Sequence, residues 1–209
     1  MAELAMSHSG KDLLKEHLAQ VYLMPEYEQL RVLLQKRSFR TGDFVLSSGE
    51  RSTYYLDART TTLCAEGSVL VGKLMWALIQ GLEVDAVGGL TLGADPVVTA
   101  VVMASQLSGS AKPVDGFLIR KEAKGHGAKR QIEGFGDNAL PKRIILVEDV
   151  TTTGLSYDTA LEAIHKDLPQ AEVVLGVSIV DRREHSDHLD VVGTSRLLFQ
   201  ALYPVSAFL

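Results

Sequence analysis

The stretch from Lys142 to Ala160 constrains the fold of this chain most. Ile144 to Val147 is an unbroken run of β-favouring apolar residues, the pattern of a strand buried on both faces. Glu148 and Asp149 place two carboxylates at its C-terminal end. Val150, Thr151, Thr152, Thr153, Gly154, Leu155 and Ser156 follow, and Leu155, Ala160, Leu161 and Ile164 then take up helical spacing. A strand–loop–helix unit of this kind presents free backbone N–H groups and the positive end of a helix dipole, which together cradle a phosphate. The hydroxyls add donors, and Gly154 lets the backbone approach an anion closely. Two ionised carboxylates repel phosphate but accept strongly from sugar hydroxyls. A phosphorylated pentose satisfies both halves; the plainer alternative is an ordinary strand with a Thr-rich turn capping the next helix.

An apolar strand, two acids, two further residues, Thr-Thr-Gly and a hydroxyl resemble the phosphoribosyl-diphosphate signature of the type I phosphoribosyltransferases. The resemblance implies an α/β fold in which a central, mainly parallel sheet is flanked by helices. An N-terminal hood and a flexible catalytic loop would complete it, with the site at the C-terminal strand ends.

A length of 209 residues suits one domain with a substantial core. The expected partition is 1–60 for N-terminal helices and a hood segment, and 61–209 for the core. No linker, repeat or low-complexity tract divides the chain, and no apolar run is long enough for a membrane span. The N-terminal residues carry His8, Lys11 and Asp12 without an apolar leader core. Cys64 is the one cysteine, so no intrachain disulfide forms, and the expectation is a cytoplasmic protein. A net charge of −5 gives no global footprint for nucleic acid.

Helical spacing runs from Lys11 to Lys36 with a break near Pro25, and predicts a helical pair forming a hood or a partner-contacting face. Phe39 to Arg59 reads as two β pieces around a Ser47-Ser48-Gly49 bend. A helix over Glu66–Leu82, a strand over Val84–Val87, a small-residue loop over Gly88–Gly93 and a helix over Pro96–Leu107 follow. Strands are expected at Asp115–Arg120, Val173–Val180 and Leu197–Leu202. Between the first of these and the signature lies Arg120-Lys-Glu-Ala-Lys-Gly-His-Gly-Ala-Lys-Arg130, a basic stretch in an acidic protein. It reads as a solvated loop or, with Gly125 and Gly127 about His126, as a closing lid.

The spacing Arg-Lys-x-x-Lys-x-His-Gly closely resembles the catalytic loop of the orotate phosphoribosyltransferases, and the aromatic strand after the Ser-Gly turn resembles that family's base-side segment. Four such motifs stand in the family's order between about Gly42 and Asp190. The resemblance implies transfer of a phosphoribosyl group from phosphoribosyl diphosphate to orotate, with Mg²⁺ held mainly by substrate oxygens and water rather than by protein ligands. It implies a homodimer in which each catalytic loop covers the neighbouring site, a non-proline cis peptide within 90–92, and no nucleic-acid or membrane partner.

Carried onto this chain, the family's phosphoribosyl-diphosphate contacts fall on Arg120, Lys121, Lys124 and His126 and on the run from Glu148 to Ser156. Lys124, His126, Arg120 and Asp149 take the catalytic roles. The orotate contacts fall on Tyr55, Leu56, Thr152 and Arg182. Two readings stay open on both sides of the base pocket. Tyr54 and Leu56 would point into the core with Tyr55 half exposed, or Tyr55 and Leu56 would line the ring face. Arg182 would grip a carboxylate, or pair at the surface with Glu184 or Asp187. His185 and His188 read as solvent-facing.

The chain departs from the family in having Ser47 and Gly93 where many members carry lysine, which weakens the expected grip on diphosphate. The rival readings are a non-catalytic regulator that senses phosphoribosyl diphosphate on the same fold, and a transferase for another base.

Overall fold

A computed structural model describes residues 6–45, 49, 51–122, 130–135, 140–183 and 189–209 of the chain. The run Ile144–Val147 forms the middle of strand β6 (Arg143–Thr151). Parallel neighbours flank it, β3 (Ala86–Leu90) on one side and β7 (Glu172–Asp181) on the other. Ile145 and Val147 enter one apolar core, and Ile144 and Leu146 enter the other. Both faces of β6 are thus covered, which is why its sequence lacks the alternation of a half-exposed strand.

The strand runs farther than its apolar residues. Glu148, Asp149 and Val150 lie inside β6, with Glu148 opposite Ser178 and Val150 opposite Val180 on β7. The acids therefore stand near the C-terminal end of the strand, where the sequence places them. The expected loop after β3 is corrected, because Gly88, Gly89 and Leu90 belong to the strand and pair with Phe117, Leu118 and Ile119. The expected six-residue loop shrinks to Thr91–Gly93, and the next helix, α5 (Ala94–Leu107), starts before Pro96.

The remaining strands are β4 (Asp115–Ile119), β5 (Ile132–Glu133), β8 (Asp190–Val192) and β9 (Leu197–Pro204). Among the described residues the main sheet has the order β5–β4–β3–β6–β7–β9–β8, parallel except for β5 and β8 at its edges. From β3 the chain moves outward to β4, whereas from β6 it moves the opposite way to β7 and β9. A sheet that reverses in this manner opens a crevice at the carboxyl ends of the two central strands.

Helices α4 (Ala65–Ile79) and α5 pack in the core of Ile145 and Val147, and α6 (Leu155–Asp167) packs in that of Ile144 and Leu146. The N-terminal helices α1 (His8–Leu23) and α2 (Pro25–Arg37) meet at the expected break, with Pro25 opening the second. Leu14, Leu18, Val21, Leu30 and Leu34 join the same core as α4. Two reciprocal bonds pin the pair to β9: the Tyr27 hydroxyl donates to the Leu202 carbonyl at 2.9 Å, and the Tyr203 hydroxyl to the Tyr27 carbonyl at 2.6 Å. Outside the main sheet, β1 (Phe39–Val45) and β2 (Arg51–Leu56) form an antiparallel hairpin that leads into the short helix α3 (Arg59–Thr62).

At the opposite end of the sheet from the crevice, Asp85 ties β3 to β6. Its Oδ2 accepts from the backbone N–H groups of Lys142 and Arg143 at 2.9 Å each, and Lys112 donates to Oδ1 at 2.9 Å. No helix of the described residues is long and apolar enough to cross a membrane.

Candidate active site

The crevice holds two adjoining cavities. The smaller, of about 200 Å³, is formed by the chain from Val150 to Tyr157 with Glu148. Gly154 begins the turn into α6 with φ of 86°, a left-handed conformation that disfavours side chains. A Cβ there would also lie 2.6 Å from the Gly193 nitrogen, so the turn closes tightly against the β8–β9 connection. Asp158, one turn into α6, fixes that connection by accepting from the backbone N–H groups of Thr194 at 2.9 Å and Ser195 at 3.0 Å. Thr152, Thr153, Gly154, Leu155 and Ser156 thus frame a pocket at the N-terminus of a thirteen-residue helix. Free N–H groups and hydroxyls make it suited to a phosphate.

The larger cavity, of about 480 Å³, has the acids on its floor. Glu148 is buried, and Asp149 beside it donates its N–H to Glu148 Oε1 at 3.2 Å. Burial first, and the charge of Asp149 second, push the Glu148 pKa well above the usual carboxylate range. A Cβ at Gly93 would lie 2.5 Å from Asp149 Oδ1 and 2.7 Å from Glu148 Oε1. The turn after β3 therefore presses directly onto the carboxylates, and this turn carries a cis peptide between Thr91 and Leu92, within the expected range.

The other wall comes from the hairpin. Tyr55 and Leu56 line the larger cavity, Tyr55 being 42 % exposed and Leu56 buried. Tyr54 points the other way and stacks on Phe39 at 5.3 Å between ring centroids. The two readings of this segment thus merge: Tyr54 packs inward, and the half-exposed Tyr55 faces the cavity.

Lys121 lines the larger cavity, whereas Arg120 does not and donates through Nε to Glu133 of β5 at 2.9 Å. Lys124 and His126 fall outside the described residues, as do Ser47, His185, His188 and the alternative Arg182 partners Glu184 and Asp187. Arg182 lies at the end of β7 but does not line the larger cavity. Its Nε donates to the Tyr54 hydroxyl at 3.2 Å, and its guanidinium carbon sits 4.9 Å from the Tyr54 ring centroid. The adjacent Arg183 is absorbed by Asp181, which accepts from its Nε and Nη2. Asp57 and Arg59 also line the larger cavity. Sequence reasoning missed both, because an Asp-x-Arg pair after a strand looks like any surface ion pair.

No protein-family model matches the chain. Curated relatives do. An orotate phosphoribosyltransferase of Aquifex aeolicus is 44 % identical over 166 residues, which cover 78 % of this chain and 87 % of the relative. One from Synechocystis is 42 % identical over 173 residues, covering 83 % of each. The chain belongs to the orotate phosphoribosyltransferase family. Solved structures agree with that membership. Mycobacterium tuberculosis orotate phosphoribosyltransferase in complex with 5-phospho-alpha-D-ribosyl 1-diphosphate superposes with a TM-score of 0.66 at 31 % identity, over 88 % of this chain and 99 % of that one. The same enzyme with Fe(III) dicitrate gives 0.71 at 35 % identity and the same coverage. The mainly parallel sheet with its flanking helices is the type I phosphoribosyltransferase fold of this family.

Proposed function

We propose that the chain transfers the 5-phosphoribosyl group of phosphoribosyl diphosphate to orotate, giving orotidine 5′-phosphate and pyrophosphate in de novo pyrimidine synthesis in the cytoplasm. The observation that carries this reading is the juxtaposition, at one crevice, of a phosphate cradle on 152–156 and the carboxylates of Glu148 and Asp149. The 5′-phosphate occupies the cradle. Glu148 and Asp149 accept from the ribose 2′ and 3′ hydroxyls, which orients C1 toward the larger cavity. As the C1–O bond breaks, its electron pair stays with the pyrophosphate, and orotate N1 forms the new bond to C1 while the N1 proton passes to the leaving pyrophosphate or to water. Lys121 lies where it can meet the diphosphate. Family resemblance gives Lys124 and Arg120 the task of stabilising the growing negative charge, and His126 that of hydrogen-bonding or protonating the leaving group. On the base side, Tyr55 and Leu56 meet the ring and Arg182 its carboxylate, with Thr152 beside them.

Among the described residues no group of three or more His, Cys, Asp or Glu side chains converges on a metal position. Mg²⁺ would be held mainly by diphosphate and ribose oxygens and by water, since Glu148 and Asp149 are engaged by the ribose hydroxyls. When bound it neutralises charge on the diphosphate.

A homodimer belongs to the same reading. Leu63, Val69, Met103 and Leu107 are exposed along a groove of about 750 Å³ between α4 and α5. The groove continues past Leu63 and Asp95 to Leu92 and Arg59, which line the larger cavity. A second copy covering this apolar face would stand beside the site, close enough to share its basic loop.

The test is loss of orotate absorbance on mixing the protein with phosphoribosyl diphosphate and Mg²⁺. Adenine, hypoxanthine and uracil serve as control bases. Turnover of orotate alone is expected; turnover of another base in its place would overturn the assignment.

A further inference from the structure

We propose that Arg59 binds the diphosphate of phosphoribosyl diphosphate and retains the pyrophosphate as it leaves. The inference deepens the phosphoribosyl-transfer reading and rests on it. With the 5′-phosphate on 152–156 and the ribose hydroxyls on Glu148 and Asp149, the group on C1 must extend into the remainder of the larger cavity. The turn Thr91–Gly93, Arg59 and Lys121 bound that remainder, and these two side chains are its cations among the described residues.

Their settings differ. Lys121 leads into the basic stretch, whereas Arg59 opens α3 and is held in place by Asp57. Asp57 Oδ1 accepts from the Arg59 backbone N–H at 3.1 Å and from Nε at 2.8 Å, and Oδ2 accepts from Nη2 at 3.0 Å. This fork fixes the plane of the guanidinium while Nη1 makes no hydrogen bond among the described residues. The side chain remains 45 % exposed, so a ligand in the cavity can reach it. Asp57 first, and Asp149 in smaller measure, raise the Arg59 pKa, which places the guanidinium within electrostatic reach of the acidic floor. A planar, permanently charged fork already oriented at low entropic cost is suited to phosphate oxygens.

Gly93 gives this arrangement its chemical sense. A side chain there would press on Asp149 Oδ1 and Glu148 Oε1, so a cation at position 93 would require those carboxylates to shift, and with glycine in place the position supplies none. Arg59 reaches the same volume from the hairpin side.

The experiment compares the full-length protein with Arg59→Ala and Arg59→Lys by titration calorimetry in Mg²⁺. The probes are inorganic pyrophosphate, phosphoribosyl diphosphate and ribose 5-phosphate. Arg59→Ala is expected to weaken pyrophosphate and phosphoribosyl diphosphate about ten- to a hundredfold, as loss of a charge-assisted contact does, with Arg59→Lys in between. Ribose 5-phosphate affinity, orotate KM and melting temperature are expected to stay as in the parent. Unchanged pyrophosphate affinity overturns the proposal. So does an equal loss for ribose 5-phosphate, which would make Arg59 a structural partner of Asp57. A parent protein that binds no phosphoribosyl diphosphate overturns the transfer reading as well, whereas a parent that binds it as tightly as Arg59→Ala overturns only the role of Arg59.

Discussion

Gly93 and Asp149 sit so close that a single methyl group on the glycine would come within 2.5 Å of the carboxylate. The contact joins the turn after β3 to the end of β6 across the reversal point of the sheet, and it sets where the acidic pair can stand.

Gly93→Ala is expected to push the Asp149 carboxylate aside and raise the phosphoribosyl-diphosphate KM about tenfold, within the cost of one charge-assisted hydrogen bond. The turn is not a core element, so the melting temperature is expected to change little. Steady-state KM values and a thermal melt check both parts.

Asp149→Asn is expected to reduce phosphoribosyl-diphosphate affinity far more than stability. The side chain adjoins the cavity, where its Oδ1 accepts only from the neighbouring Val150 N–H at 2.8 Å among the described residues. Unchanged affinity by titration calorimetry would remove it from the sugar-hydroxyl role.

Arg182→Ala is expected to raise the orotate KM about ten- to a hundredfold and leave that of phosphoribosyl diphosphate in place. Among the described residues its one hydrogen bond, to Tyr54, is made through Nε, which leaves the other guanidinium nitrogens to meet a carboxylate. Equal movement of both KM values would show that the Tyr54 contact, and through it the hairpin, is what Arg182 serves.

Asp85 gives the fold an acid-sensitive staple. Burial pushes its pKa up, but the Lys112 bond and the Arg143 and Lys142 N–H groups outweigh that and hold it at about 2. A depressed carboxyl stabilises the native state above its unfolded pKa of about 3.9 and loses that contribution as pH falls toward the folded value. The group is partly exposed, so the effect is on the order of 1–2 kcal/mol. Denaturant melts of the parent and Asp85→Asn are expected to differ by that amount at pH 7 and to converge near pH 2.

Residues 144–147 were legible because a strand covered on both faces must be apolar throughout, and the Gly154 turn because phosphate-binding chemistry needs small and hydroxylated residues there. Gly88 and Gly89 were misread as loop for an equally physical reason. A Cβ on Gly88 would meet the Phe117 ring at 2.4 Å, and one on Gly89 the Val147 carbonyl at 2.2 Å, so the glycines serve close packing within a central strand. Such packing depends on residues distant in sequence. The edge strands β5 and β8 are too short, at two and three residues, to leave a periodic pattern. Arg59 and Asp57 became site residues only once the hairpin was laid against the turn after β3.

The central claim is that the carboxylates on β6 and the basic stretch of a second copy act on one phosphoribosyl diphosphate. Lys124→Ala is expected to lower kcat by about a hundred- to a thousandfold, comparable to losing one oxyanion donor. Asp149→Asn disables the floor. Mixing the two inactive variants would form heterodimers in which one site carries both lesions and the other neither. The account predicts that activity returns toward about half the parent value per heterodimer, the other site being empty of function. Mixed dimers that are seen by native mass spectrometry and yet remain inactive would contradict it.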